Sequence, residues 1–183
     1  QFARKLGFSQ KKILRGIYSC DHEKFSEIHH ARQNLELDPC SFVYVGRFSS
    51  VKGVDVLVEA YRRYRMMAPQ PWGLKCYGAG PLIHLLEGVE GIEFKGFCQP
   101  EKLPHELSMS SCLILPSTSE PWGLVVHEAT SAGMPVISSD AVGASVHLIR
   151  DGYNGYIFES GDIEGLSRVM LHYSSLSKTE RLE

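Results

Sequence analysis

No stretch of the chain approaches the roughly 18 consecutive apolar residues that a membrane-spanning helix needs, so the sequence predicts no crossing. Charge of one sign is also scarce. A net charge of −2 offers no general attraction to nucleic acid or to an anionic membrane, so any anion site has to be local. Paired cysteines are absent: Cys20, Cys40, Cys76, Cys98 and Cys112 lie far apart with no C-x-x-C spacing, and an odd count favours free thiols in a reducing cytoplasm. Metal motifs are missing too. His127-Glu128 is followed by Ser131 where a zinc peptidase needs its second histidine, and no D-x-D triplet occurs, so no metal is expected. The opening "QFARKLGFSQ" has neither an initiator Met nor an apolar signal core, which reads as a processed chain or a piece of a longer one. The closing Leu182-Glu183 reads as a cloning scar.

What is present is a regular alternation. The 183 residues, 43% hydrophobic, suffice for one α/β domain. Short apolar segments at 41–46, 74–78, 92–96, 112–116, 135–139 and 155–159 mostly end at Gly, Pro or Ser, as buried strands do before loops. Between them, "GVDVLVEAYRRYRMM" puts Val54, Leu57, Val58 and Tyr61 on one helical face. "PEKLPHELSMSS", "GLVVHEATSAG" and "DIEGLSRVMLHYSSL" supply further crossover helices. Strand–helix alternation predicts a Rossmann-like three-layer α/β/α fold with a mainly parallel sheet. Ligands of such sheets bind at the carboxyl ends of the strands. Residues 1–39 differ, reading as a helix, a short strand in "KILRGIYS" and a polar helical linker with little core. They are expected to be a hinge from a missing neighbour, ahead of a domain over 40–181.

Three strand-end loops hold candidate chemistry. "VGRFSSVKG" offers Gly46, Arg47 and, at a helix start, Lys52, which suit a diphosphate; two exposed cations near a turn are the plain alternative. "YGAGPL" has Gly78 and Gly80 for close backbone approach, but the third glycine of a dinucleotide fingerprint and any Walker pattern are missing. "STSEPWGLVVHEATSAGMPVI" sets Glu120 in a loop and Glu128 on a helix led by Gly123, Leu124 and Val125. The leading amides can hold a phosphate or sugar oxygen, and carboxylates can accept from sugar hydroxyls; a surface Glu and a helix-face Glu are the bland alternatives.

Together with "YVGRFSSVKGVDVLVEAY", "GAGPL", "IEFKGF" and "DGYNGYIF", that stretch resembles the donor-binding half of the retaining GT-B glycosyltransferases of family four (group 1), over about residues 40 to 175. The resemblance implies one lobe of a two-lobe GT-B architecture. It implies that Glu120 contacts the transferred sugar, Glu128 the nucleoside ribose, and Arg47 with Lys52 the donor diphosphate. It further implies that the amides at Gly123, Leu124 and Val125 assist, and that Phe97 and Cys98 lie where the base is held. The substrate would be a UDP-, GDP- or ADP-sugar, with no cofactor. A carbohydrate or lipid-linked acceptor would be bound through the missing N-terminal lobe, in the cytoplasm or peripherally at the inner face of a membrane, in glycan, polysaccharide or glycolipid synthesis. Trp122 stands where Phe is usual and His147 where Glu is common. A GT-B epimerase, a non-catalytic nucleotide-sugar-binding lobe and a dinucleotide-dependent oxidoreductase remain as rivals; the broken glycine fingerprint disfavours the last.

Overall fold

The computed structural model describes residues 2–12, 18–33 and 39–182. Six strands form one sheet: β1 Ser41–Val45, β2 Gly73–Tyr77, β3 Ile92–Gly96, β4 Cys112–Leu115, β5 Val136–Ser139 and β6 Gly155–Phe158. Their order is β3-β2-β1-β4-β5-β6, and all five neighbouring pairs are parallel. The helices are α1 Phe2–Lys5, α2 His22–Gln33, α3 Val54–Met67, α4 Leu103–Ser108, α5 Leu124–Ser131, α6 Ser145–Leu148, α7 Ile163–Ser175 and α8 Lys178–Leu182. The fold is the expected Rossmann-like one.

Local sequence explains most of these elements. β4 reads "CLIL" and is buried at every position, as a central strand covered on both faces must be. In α3, Val54, Leu57, Val58, Tyr61 and Tyr64 face inward at helical spacing, and α3 packs on α7. The Asp162 side chain caps α7 by accepting from the Gly165 amide at 2.8 Å. Aromatic rings close this side of the core: Phe42 lies 5.5 Å from Tyr64 and 5.2 Å from Trp72, centroid to centroid.

Two expectations need adjusting. β3 is not a buried apolar strand; it is a sheet edge, with Glu93, Phe94 and Lys95 exposed, which accounts for its mixed composition. The first forty residues also hold more core than their composition implied, because Phe25 and Ile28 of α2 are buried and α2 packs against α4 and α5. Most of the short strand expected at "KILRGIYS" lies outside the described residues.

Candidate functional site

The strand order runs outward from β1 in one direction and from β4 in the other, so the loops after β1 and β4 diverge. A crevice at such a switch point is where open α/β sheets bind ligands. Arg47 and Lys52 follow β1, and Glu120 follows β4, so the sequence-predicted charges flank the crevice from both sides.

Close backbone contact fixes the two loops. Lys52 ends a 3₁₀ turn, Ser50–Lys52, rather than opening a helix as expected; Gly53 then turns the chain into α3 with φ 67°. A Cβ on Gly53 would stand 1.9 Å from the Pro116 carbonyl oxygen. Glycine is needed there on both counts, positive φ and lack of room. The Thr118 amide donates to the Val51 carbonyl at 2.9 Å, and the buried Ser139 hydroxyl holds the Ser117 carbonyl at 2.5 Å. With the loops tied, the Lys52 ammonium meets Glu120 Oε2 in an ion pair across the crevice. Glu120 is only 13% exposed and Lys52 28%, so the pair is partly desolvated.

Beside it opens a cavity of about 520 Å³ that brings together Gly46, Arg47, Gly78, Gly80, Phe97 and Cys98 with Val45, Tyr77 and Ala79. Its walls come from the ends of β1, β2 and β3, three segments well separated in sequence. Gly78 makes the approach of the first two loops feasible: a Cβ there would lie 1.9 Å from the Gly46 carbonyl oxygen. The Tyr44 hydroxyl donates to the Arg47 carbonyl at 2.9 Å, supporting the first loop from below. Burial pushes that phenol well above its usual range, so it stays a donor at any working pH. Phe97 is 68% exposed at the rim, free to lie against a planar ligand.

The remaining candidates sit on α5. Gly123 is its N-cap and brings no side chain to the first turn, so the leading amides keep their hydrogen-bonding capacity. Leu124 is exposed, and Val125 and Glu128 are half-buried. Burial raises the Glu128 carboxyl above the ordinary range, opposed in part by the Lys24 charge. These residues do not line the 520 Å³ cavity.

Several neighbours escaped sequence reading. Tyr77 lines the cavity and donates its hydroxyl to Glu106 Oε2 on α4, a pairing that no local pattern signals. Burial, and then the Glu106 charge, push the Cys98 thiol up. The two departures from the family pattern meet each other: Trp122 stacks on His147 at 5.8 Å, and Tyr18 packs on Trp122 at 5.8 Å. The Trp122 indole Nε1 is buried and has no acceptor among the described residues.

Comparison with known proteins bears on the family and the fold. The family described as "Glycosyl transferases group 1" matches residues 25–181. D-inositol 3-phosphate glycosyltransferase of Streptomyces scabiei is 30% identical over 155 residues, 76% of this chain and 34% of that protein. Among solved structures, the C-terminal domain of a glycosyl transferase group 1 family protein of Francisella tularensis superposes with a TM-score of 0.68 at 20% identity, covering 91% of this chain and 88% of that one. Anabaena HepE, in complex with UDP and glucose, gives 0.71 at 20% identity over 99% of this chain and 52% of that one. At such identity the structural likeness speaks for the fold. The chain spans about a third of the length of the D-inositol 3-phosphate glycosyltransferases it matches.

Proposed function

This chain belongs to the group 1 glycosyl transferases, and on that premise we propose that it is the C-terminal, donor-binding lobe of a retaining family-four enzyme. The reaction moves a sugar from a nucleoside diphosphate to an acceptor hydroxyl, in the synthesis of a glycan, polysaccharide or glycolipid. The observation that carries this reading is the Lys52–Glu120 ion pair, held at the switch point next to a cavity containing Arg47. A pre-paired cation and carboxylate at a strand end suit a ligand that is anionic on one side and rich in hydroxyls on the other. UDP in complex with a structural neighbour fits the same chemistry.

Each residue then has a physical task. Arg47 and Lys52 take up charge on the diphosphate as the bond from the sugar to it breaks, and the amides at Gly123 to Val125 add a partial positive charge from α5. Glu120, whose carboxylate Lys52 already orients, accepts from hydroxyls of the sugar and supports its electron-poor ring. Glu128 accepts from the ribose diol, Gly46, Gly78 and Gly80 let backbone approach the donor, and Phe97 with Cys98 lies beside the base. Two cations and a helix start supply the positive charge, and no metal ion enters these steps. The acceptor side belongs to a second lobe, so this chain alone binds donor weakly and turns over little. No helix among the described residues is long and apolar enough to cross a membrane; the site of action in this proposal is the cytoplasm, either free or peripherally at the inner membrane face.

Calorimetric titration of the chain with UDP, GDP and ADP, and then with their sugars, tests the reading. Saturable binding to one of them, lost in Lys52→Ala and in Glu128→Ala, is expected. Binding that survives both substitutions places the nucleotide elsewhere and removes the proposal.

A further inference from the structure

Helix α2 lies outside the three strand-end loops, yet it reaches the segment that follows Phe97 and Cys98 at the cavity rim. Asp21 begins it, its Oδ1 accepting from the Lys24 amide at 3.4 Å. Phe25 and Ile28, 4% and 8% exposed, bury one face, and α2 packs on both α4 and α5. The side chain of Lys24 is therefore carried by a well-anchored turn. Its ammonium donates to the Pro100 carbonyl at 3.1 Å, a contact spanning 76 residues of sequence. Pro100 belongs to the segment that continues from Phe97 and Cys98 at the cavity rim. Glu128 projects from α5, the other helix that α2 touches.

We propose that Lys24 is a positioning residue for the donor's nucleoside: it bonds Pro100 of the segment that follows Phe97 and Cys98, and the helix that carries it packs on α5, which carries Glu128. The inference rests on the donor-site reading given above and extends it to a residue that precedes the family match, which begins at residue 25. An ammonium has three N–H donors, so the bond to Pro100 leaves others for a carboxylate or for water. Its positive charge also favours the ionised form of Glu128, the form that accepts from both ribose hydroxyls. The other ionisable side chains described on these helices are His22, Glu23, Glu27 and His29 on α2, His105 and Glu106 on α4 with Lys102 ahead of it, and His127 on α5; none of them is a cause of the Glu128 shift. Burial drives that carboxyl toward its neutral form; Lys24 opposes it.

The test compares Lys24→Met and Lys24→Arg, with Glu128→Gln as reference, in the whole chain. Carbon-13 NMR follows the Glu128 carboxyl titration in the free protein, and calorimetry follows UDP, GDP and ADP binding across pH. Loss of the Lys24 charge should move the Glu128 titration to higher pH and displace the acid limb of nucleotide binding the same way. The Kd at pH 7 should weaken by about three- to five-fold, the usual scale of a partly exposed charge contact. Lys24→Arg should restore all three readings, whereas a purely structural role would change melting temperature and leave the titration in place. Should Lys24→Met leave both the titration and the affinity unchanged while Glu128→Gln abolishes binding, the inference is overturned and the donor site stands. Should the wild-type chain bind none of the three nucleotides, the donor-site reading fails and this inference with it.

Discussion

Replacing Lys52 by methionine would leave the Glu120 carboxylate in its half-closed crevice without a counter-charge. At an ordinary charge-assisted separation of about 2.8 Å, two unit charges attract by about 6 kcal/mol at an effective dielectric near 20 and by about 1.5 kcal/mol in water. Desolvation of both groups and the ordering of a lysine side chain offset much of that gain. With Glu120 13% exposed and Lys52 28%, the pair sits between a surface bridge and a buried one. A net coupling of about 1–2 kcal/mol is therefore expected, above the 0.2–1 kcal/mol typical of exposed pairs. The assay is a double-mutant cycle: urea denaturation of the wild type, Lys52→Met, Glu120→Gln and the double variant. Lys52→Met should be the more damaging single change, since it strands a charge, while Glu120→Gln keeps a neutral hydrogen-bonding group. The double variant should recover part of the loss. A coupling energy under about 0.3 kcal/mol, within the scatter for independent sites, would refute the claim that this pair ties the β1 and β4 loops together.

Gly78→Ala places a Cβ 1.9 Å from the Gly46 carbonyl at φ 145°, so the two loops must part; a loss of about 2–4 kcal/mol in denaturation and a collapse of nucleotide affinity are expected. Glu128→Gln should stabilise the fold at neutral pH while destroying nucleotide binding. The carboxyl's folded-state pKa is raised, so its contribution is favourable at low pH and is lost as pH rises through that raised value; the Gln variant's advantage in melting temperature should accordingly vanish near pH 4. Cys98 should alkylate more slowly at pH 7 than an unperturbed thiol, because burial and Glu106 raise its pKa, and nucleoside diphosphate should protect it further. Peptide mapping by mass spectrometry reads both effects; unhindered labelling in the presence of saturating nucleotide would place the base away from Cys98.

The kind and order of the elements were written in local pattern. Uniformly apolar four- and five-residue runs such as 112–115 can be buried only as central strands, and the 3.6-residue spacing of Val54, Leu57, Val58 and Tyr61 admits one face toward a core. The positions of Arg47, Lys52 and Glu120 in loops after strands, and of Glu128 on the helix that follows one of them, came from the same alternation, because a parallel sheet sends all its carboxyl-end loops to one side. The resemblance assigned them roles that periodicity could not.

Tertiary structure alone decided which of these residues touch. The switch between β1 and β4 is a property of strand order, and strand order depends on which long-range pairings close best rather than on any segment's own sequence. It set Lys52 against Glu120 across 68 residues and gathered Gly46, Gly78 and Phe97 around one cavity. It turned β3 into an edge, where Glu93 and Lys95 are tolerated because water solvates them. It also brought Lys24 to Pro100. Among the described side chains of α2, Phe25 and Ile28 are the buried apolar positions, too few to reveal from sequence which helices it would meet. Hydrophobic periodicity fixes which side of an element is inside, but a charge contact between distant loops exists only once backbone and side chains have been brought to within hydrogen-bonding reach.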